Sequence, residues 1–448
     1  MNDSLQPERS LARRFGPLCA LLLVVAALHG AWMAAEPAPT YFEDEPHYSQ
    51  FAHEDALSGR TSLLPGRLRF DQRPELISRL WAQFVPEMDG STLTREKVRY
   101  DPHLQRSARW VHLPLLLATI VLVFLHARTL GAAPARALGA AALFGLFPWF
   151  AFYAHTLWAE VPHAFCVGIA FLCVLRTLRG GARWPLLVAG LALGMALLFK
   201  GTMNAFVPVI AAFVGLAPLV QRPEDPWRQR ILFGASCAAL LFVGTYAVIG
   251  PQLLANQEAG HGWRLAGNRW KNLEMGVKLQ PRELQTDSER QDRADLHQLY
   301  MLAGETYEVR EAAAEERLRA HVQETGLATV LAGQARKLTA LVFRVPSFFE
   351  RALTERWGDP APPWLRALRW PGRVLWTVLV LGGLVGALAT FRRSPGHLLL
   401  ALFVGYYLTA ALTIPYKVRF LMPLVPVLAV FTAELPSLWP RRERPTSA

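Results

Sequence analysis

The stretch Tyr41-Phe42-Glu43-Asp44-Glu45-Pro46-His47-Tyr48 sets three consecutive carboxylates just beyond the first apolar run of the chain, Phe15 to Ala35. Adjacent carboxylates repel, so such a triplet calls for a raised pKa or a cationic partner. Without a partner it would be a solvated acidic turn that closes a helix end. A further acid, Glu160, stands in His155-Thr-Leu-Trp-Ala-Glu160-Val-Pro-His163, where another apolar block begins. An acid at the centre of a bilayer costs about 2.5–3.5 kcal/mol, and less near an interface, so it usually faces a cavity or a partner. The plainer reading is an N-terminal acid favoured by the helix dipole. His155 and His163 are its candidate partners, or simply interfacial histidines, and their spacing marks no metal site.

Three cations complete the set: Lys200 in Leu-Leu-Phe-Lys-Gly-Thr, and Lys417 and Arg419 in Ile-Pro-Tyr-Lys-Val-Arg-Phe. Each alone could snorkel, its stem in the apolar layer and its charge in water. Together, on one face with the acids, they would hold an anion at head-group depth. A lipid-linked phosphate fits, gripped by Arg through paired hydrogen bonds and by Lys as a point charge. A carboxylate would then take the proton from an acceptor hydroxyl or amine, while the cations stabilise the departing phosphate.

The elements that must position these groups are apolar blocks. The chain has 448 residues, 52% of them hydrophobic, with a formal charge of +12 and a mean hydropathy of +0.21. Its apolar residues come in runs of membrane-spanning length. We expect an all-α polytopic membrane protein of about ten spans: 15–35, 110–125, 135–153, 158–175, 184–199, 203–220, 231–253, 370–391, 397–413 and 420–435. The first, preceded by Arg13-Arg14, could also be read as a cleaved signal, but it is long enough to remain an anchor. The whole of 1–448 reads as one membrane domain with two long loops, 36–109 and 254–369. In the first, Leu76, Ile77, Leu80, Trp81, Phe84 and Val85 recur at helical spacing, which predicts a helix packed on the spans or lying in the interface. In the second, 305–324 reads as a charged helix and 327–343 as an amphipathic one.

Charge orients the bundle. With a cytoplasmic amino terminus, the short inner segments carry sixteen arginines and the short outer ones only Lys200, Lys417 and Arg419. The positive-inside rule then puts both termini in the cytoplasm and both long loops, with the acidic triplet, outside. The net charge is accounted for by topology, so no nucleic-acid partner is needed. The four cysteines lie in apolar blocks and form neither a metal pattern nor a disulfide framework. No glycine-rich phosphate fingerprint is present, which argues against an ATP-driven pump.

An amino-terminal span, a long outer loop opening on Asp44-Glu45 with Tyr48 behind it, a string of short-looped spans and a late outer loop resemble the GT-C membrane glycosyltransferases. Glu160, Leu191–Gly201 and Arg419-Phe-Leu-Met-Pro-Leu-Val-Pro426 carry the resemblance further. It is nearest to the dolichyl-phosphate-mannose-protein mannosyltransferase superfamily, with its bacterial relatives acting on lipid A and lipopolysaccharide. The resemblance implies an enzyme of the inner (plasma) membrane that moves a sugar from a polyprenyl-phosphate donor to a lipid, glycan or protein acceptor on the periplasmic face. It implies Asp44 as the catalytic carboxylate, Glu45 as its neighbour and Glu160 in the same cavity, with Lys200, Lys417 and Arg419 toward the donor phosphate. Glu43 adds a third acid, so the base could equally be Glu43 or Glu45. A divalent metal near the acids is compatible with the resemblance, though nothing in the sequence demands one. The rivals are a flippase for a lipid-linked sugar, disfavoured by the lack of repeated halves, and a non-catalytic membrane protein.

Overall fold

The computed structural model describes residues 6–35, 45–61, 76–86, 98–279, 287–304, 306–339, 363–413 and 418–438, and among them there is no strand. Helix α1 (Gln6–Ala35) is followed by two short helices of the first loop, α2 (Glu45–Leu57) and α3 (Leu76–Ala82). The central bundle is α4 (Pro102–Thr129), α5 (Pro134–Gly145), α6 (Pro148–Tyr153), α7 (Glu160–Leu178), α8 (Pro185–Phe199), α9 (Val207–Gln221) and α10 (Trp227–Glu258). The second loop supplies α11 (Arg269–Lys278), α12 (Asp287–Leu302), α13 (Tyr307–Thr325) and α14 (327–339). After α15 (Pro363–Ala367) come α16 (Arg369–Thr390), α17 (Pro395–Thr413), a 3-10 segment (Val418–Leu424) and α18 (Val425–Glu434).

Each expected apolar block falls on helix. Among the described residues, six helical segments are long and apolar enough to cross a membrane, and 185–199, 207–221 and 395–411 are shorter apolar helices. This makes the chain a multi-pass membrane protein. The block at 135–153 is not one helix. It breaks after Gly145, and Pro148 restarts it as α6, because proline cannot donate the hydrogen bond that would carry α5 onward. The block at 420–435 opens as a 3-10 turn containing Pro423 before α18 begins.

Helices α8 and α10 touch backbone to backbone. A Cβ on Gly190 would overlap the Leu241 carbonyl, and one on Gly244 would overlap that of Leu187. Small residues at such crossings let two spans approach where lipid gives no hydrophobic drive. The described part of the first loop is packed rather than interfacial: Leu76, Ile77 and Trp81 are buried, Leu76 in the main core and Ile77 and Trp81 with Ala52, Leu104, Ala108 and Leu157 in a second small core on the bundle's end. The Trp81 indole donates to the Leu157 carbonyl at 2.8 Å. His53 Nε2 lies 3.1 Å from Asp101 Oδ2, and Asp101 caps α4 by accepting the His103 amide at 2.8 Å.

The described residues of the second loop form a helical cap. Glu274 of α11 takes both arms of Arg317 from α13, at 2.8 and 2.9 Å. Glu311 accepts the backbone amides of Trp270 at 2.6 Å and Lys271 at 3.3 Å. Burial raises the Glu311 carboxyl above its ordinary value, while those two amides oppose the rise. Lys271 lies over the Tyr300 ring at 4.6 Å.

Candidate active site at the end of the bundle

Helix α7 begins at the end of the bundle where α8 finishes, because the two run antiparallel across the short turn 179–184. Their facing termini carry Glu160 and Lys200. The Lys200 ammonium meets Glu160 Oε1 at 2.8 Å, with side chains 12% and 4% exposed. Two residues that the sequence marked as unusual are thus a buried ion pair. Lys200 holds extended backbone, φ −160° and ψ 116°, as the cap of α8, which turns its side chain off the helix and back toward α7.

A directed hydrogen-bond chain runs beside the pair. His163 Nδ1 is 2.9 Å from the Ala196 carbonyl, which can only accept, so a neutral His163 carries its proton there. Its Nε2 then accepts from the Tyr407 hydroxyl at 3.0 Å, and Tyr407 in turn accepts from Thr202 at 3.1 Å. Tyr406 donates to the Thr202 carbonyl at 2.5 Å. His163 is therefore built in, and α17 is tied to the end of α8. His112 is fully buried, edge-on to Trp81 at 5.1 Å and within electrostatic range of Glu160.

Glu45, wholly buried at the start of α2, accepts the Leu157 amide at 2.9 Å and the Gln105 side chain at 3.4 Å. Gln105 in turn takes Arg109 at 3.5 Å. Leu157 lies three residues before Glu160, so the acidic stretch ends on the turn that delivers the ion pair. Tyr48 is half-buried against both cores. His155 is stacked between His29 and Trp32, ring centroids 5.1 and 5.2 Å away, and its Nε2 lies 3.0 Å from His29 Nδ1. Its role is to bind α1 to the α6–α7 turn.

Glu43, Asp44 and Lys417 lie outside the described residues, and of Arg419 only the backbone, in the 3-10 segment, is described. Among the described residues no three His, Cys, Asp or Glu side chains gather as a metal site. Sequence reasoning missed Gln105, Arg109, Thr202 and Tyr407. Gln105 and Arg109 stand one helical turn apart, a spacing that pairs side chains; Tyr407 is an ordinary aromatic in an apolar run and gave no signal.

Comparison with known proteins bears on this end of the bundle. Residues 66–255 match the dolichyl-phosphate-mannose-protein mannosyltransferase family. The mannosyltransferase match contains Gln105, His155, Glu160, His163 and Lys200, while Asp44, Glu45, Lys417 and Arg419 fall outside it. The family resemblance read from the sequence stands. The structure is similar to the apo oligosaccharyltransferase of Archaeoglobus fulgidus, with a TM-score of 0.50 and 16% identity over 95% of this chain and 50% of that one. At that identity the likeness is one of fold, and this chain spans about half the length of the oligosaccharyltransferase. ArnT from Cupriavidus metallidurans, solved with undecaprenyl phosphate, aligns with 18% identity over 94% of this chain and 77% of that one, at a TM-score of 0.33. No curated protein matches the sequence.

Proposed function

We propose that the chain is a GT-C membrane glycosyltransferase that moves a sugar from a polyprenyl-phosphate donor to a lipid, glycan or protein acceptor. The observation that carries this reading is the buried Glu160–Lys200 pair, inside the segment matched to a family named for dolichyl-phosphate-mannose. Such a donor presents a phosphate at head-group depth, where a retained lysine would be placed to meet it.

In this reading the acceptor oxygen or nitrogen attacks the anomeric carbon as the bond from that carbon to the phosphate oxygen breaks. The acceptor's proton passes to Asp44, or to Glu43 beside it, and the phosphate leaves with its added negative charge. Lys200, Lys417 and Arg419 stabilise that charge. Glu160 holds Lys200 in place and tempers its charge, so donor binding completes a half-neutralised site. Glu45 serves differently from its neighbours: satisfied by Leu157 and Gln105, it anchors the acidic stretch to the α6–α7 turn. A divalent metal would belong with Glu43 and Asp44. The site would face the periplasm, with both termini in the cytoplasm and the bundle in the inner membrane.

The test uses the full chain in lipid nanodiscs with polyprenyl-phosphate sugars, reading release of polyprenyl phosphate by mass spectrometry. Wild type should release it in an acceptor-dependent manner. Asp44→Asn should drop release at least 100-fold, the lower end of what a general base supplies, with donor binding kept. Unchanged release in that variant would remove Asp44 from the mechanism. Absence of release with every donor, alongside movement of intact donor across the bilayer, would favour the flippase.

A further inference from the structure

We propose that the groove between the 179–184 turn and the start of α10, at the opposite end of the bundle from Glu160, binds an anionic phospholipid, its phosphate held between Arg183 and Arg222. A hollow of about 570 Å³ opens there. Both guanidinium groups lie over one ring, Phe233, at 5.1 Å for Arg183 and 3.9 Å for Arg222. Arg183 also donates to Ser236 Oγ at 2.8 Å, which fixes its fork at the rim.

Two like charges gathered on one aromatic face need counter-charge. Asp225 supplies part of it, 3.5 Å from Arg222, but both side chains are more than a third exposed, and such a pair is weakened by solvent and salt. An incoming phosphate would accept from both forks. The rest of the lining decides between a soluble anion and a lipid. Leu187 and Leu240 form apolar walls along α8 and α10, and Trp184 stands 67% exposed at the mouth, as tryptophans do at a membrane–water interface. A free phosphate would leave those surfaces unused, whereas an acyl chain would cover them. Basic hollows between spans take anionic head groups in this way. The turn is tight at this point. Gly180 sits at φ +87°, and a Cβ on Gly181 would come within 2.6 Å of the Arg176 carbonyl, so backbone rather than side chain forms that edge and the mouth stays open.

The experiment is native mass spectrometry of the delipidated full chain titrated with phosphatidylglycerol, phosphatidylcholine of the same chains, or inorganic phosphate. Phosphatidylglycerol should be retained at a concentration at least tenfold below phosphatidylcholine. The double variant Arg183→Gln/Arg222→Gln should lose that preference, and Arg176→Gln/Arg228→Gln, which removes the same charge elsewhere on this end, should keep it. A photoactivatable phosphatidylglycerol added to the unaltered chain should label residues 180–187 or 233–240, a readout independent of how the variants fold. Equal retention of both lipids, an unchanged preference in the first double variant, or labelling elsewhere would overturn the site. Displacement of the lipid by millimolar inorganic phosphate would overturn it as a lipid site.

Discussion

At one end of the bundle Glu434 takes Arg136 at 2.9 Å, Arg393 at 3.2 Å and the Ser437 hydroxyl at 3.2 Å. At the other, Glu160 takes Lys200 at 2.8 Å, and the histidine–tyrosine–threonine chain passes alongside. Both carboxylates are 4% exposed, so burial does not separate them. What differs is the partner. Glu434 is held by forked guanidinium groups from α5 and from the connection between α16 and α17, which closes that end of the fold. Glu160 faces an ammonium, a compact charge with three donors and no fixed plane. The Glu434 cluster ties three segments of the fold together, whereas in the mechanism proposed above the Lys200 ammonium also meets the donor phosphate.

The comparison is sharpened most by Lys200→Met. It should abolish polyprenyl phosphate release by at least about 100-fold and destabilise the chain by about 3–5 kcal/mol, since it strands a buried charge. Adding Glu160→Gln should recover most of the stability and none of the activity. A double variant regaining turnover would reduce the pair to scaffolding. Next in size, Glu434→Gln should cost about 1–3 kcal/mol in thermal unfolding, moderated because Arg136 and Arg393 are partly exposed and can turn to water, with turnover per folded molecule unchanged. A fall in turnover would break the contrast between the two ends.

Smaller still, Trp81→Phe removes the hydrogen bond to Leu157 and should cost about 1 kcal/mol, read as faster proteolysis of the first loop. The smallest effect is one of pH. Burial pushes the Asp101 carboxyl up, but its hydrogen bonds with His53 and the His103 amide outweigh that and hold it below its ordinary value. A depressed carboxyl contributes stability that is full above its unfolded value and lost as pH falls through the folded one. First-loop proteolysis should therefore rise below about pH 4, and Asp101→Asn should flatten that rise.

Much of this was legible in the sequence, for physical reasons. Long apolar runs must become helices in a bilayer, because no water is there to satisfy their backbones, and each expected block is helical. Glu160 and Lys200 stood out because charge is costly in such runs, and they proved to be partners across 40 residues. The break at Pro148 was available from proline chemistry, yet the run around it was apolar throughout and read as one span. Gln105, Thr202 and Tyr407 were hidden because their roles arise only when α4, α8 and α17 converge. His155 looked like a companion of Glu160 from proximity in sequence. Its ring stacks on α1, since the turn between α6 and α7 faces that helix.

The glycine crossing of α8 and α10 has a mechanical consequence. With no side chain interposed at Gly190 and Gly244, the two backbones bear directly on one another there, which favours their moving as a single strut. Lys200 at the tip of α8 then keeps a constant spacing from the stem of the second loop, which α10 carries out to Glu258. In the reaction proposed above, the wall that yields to a lipid-linked donor is therefore the one away from that strut.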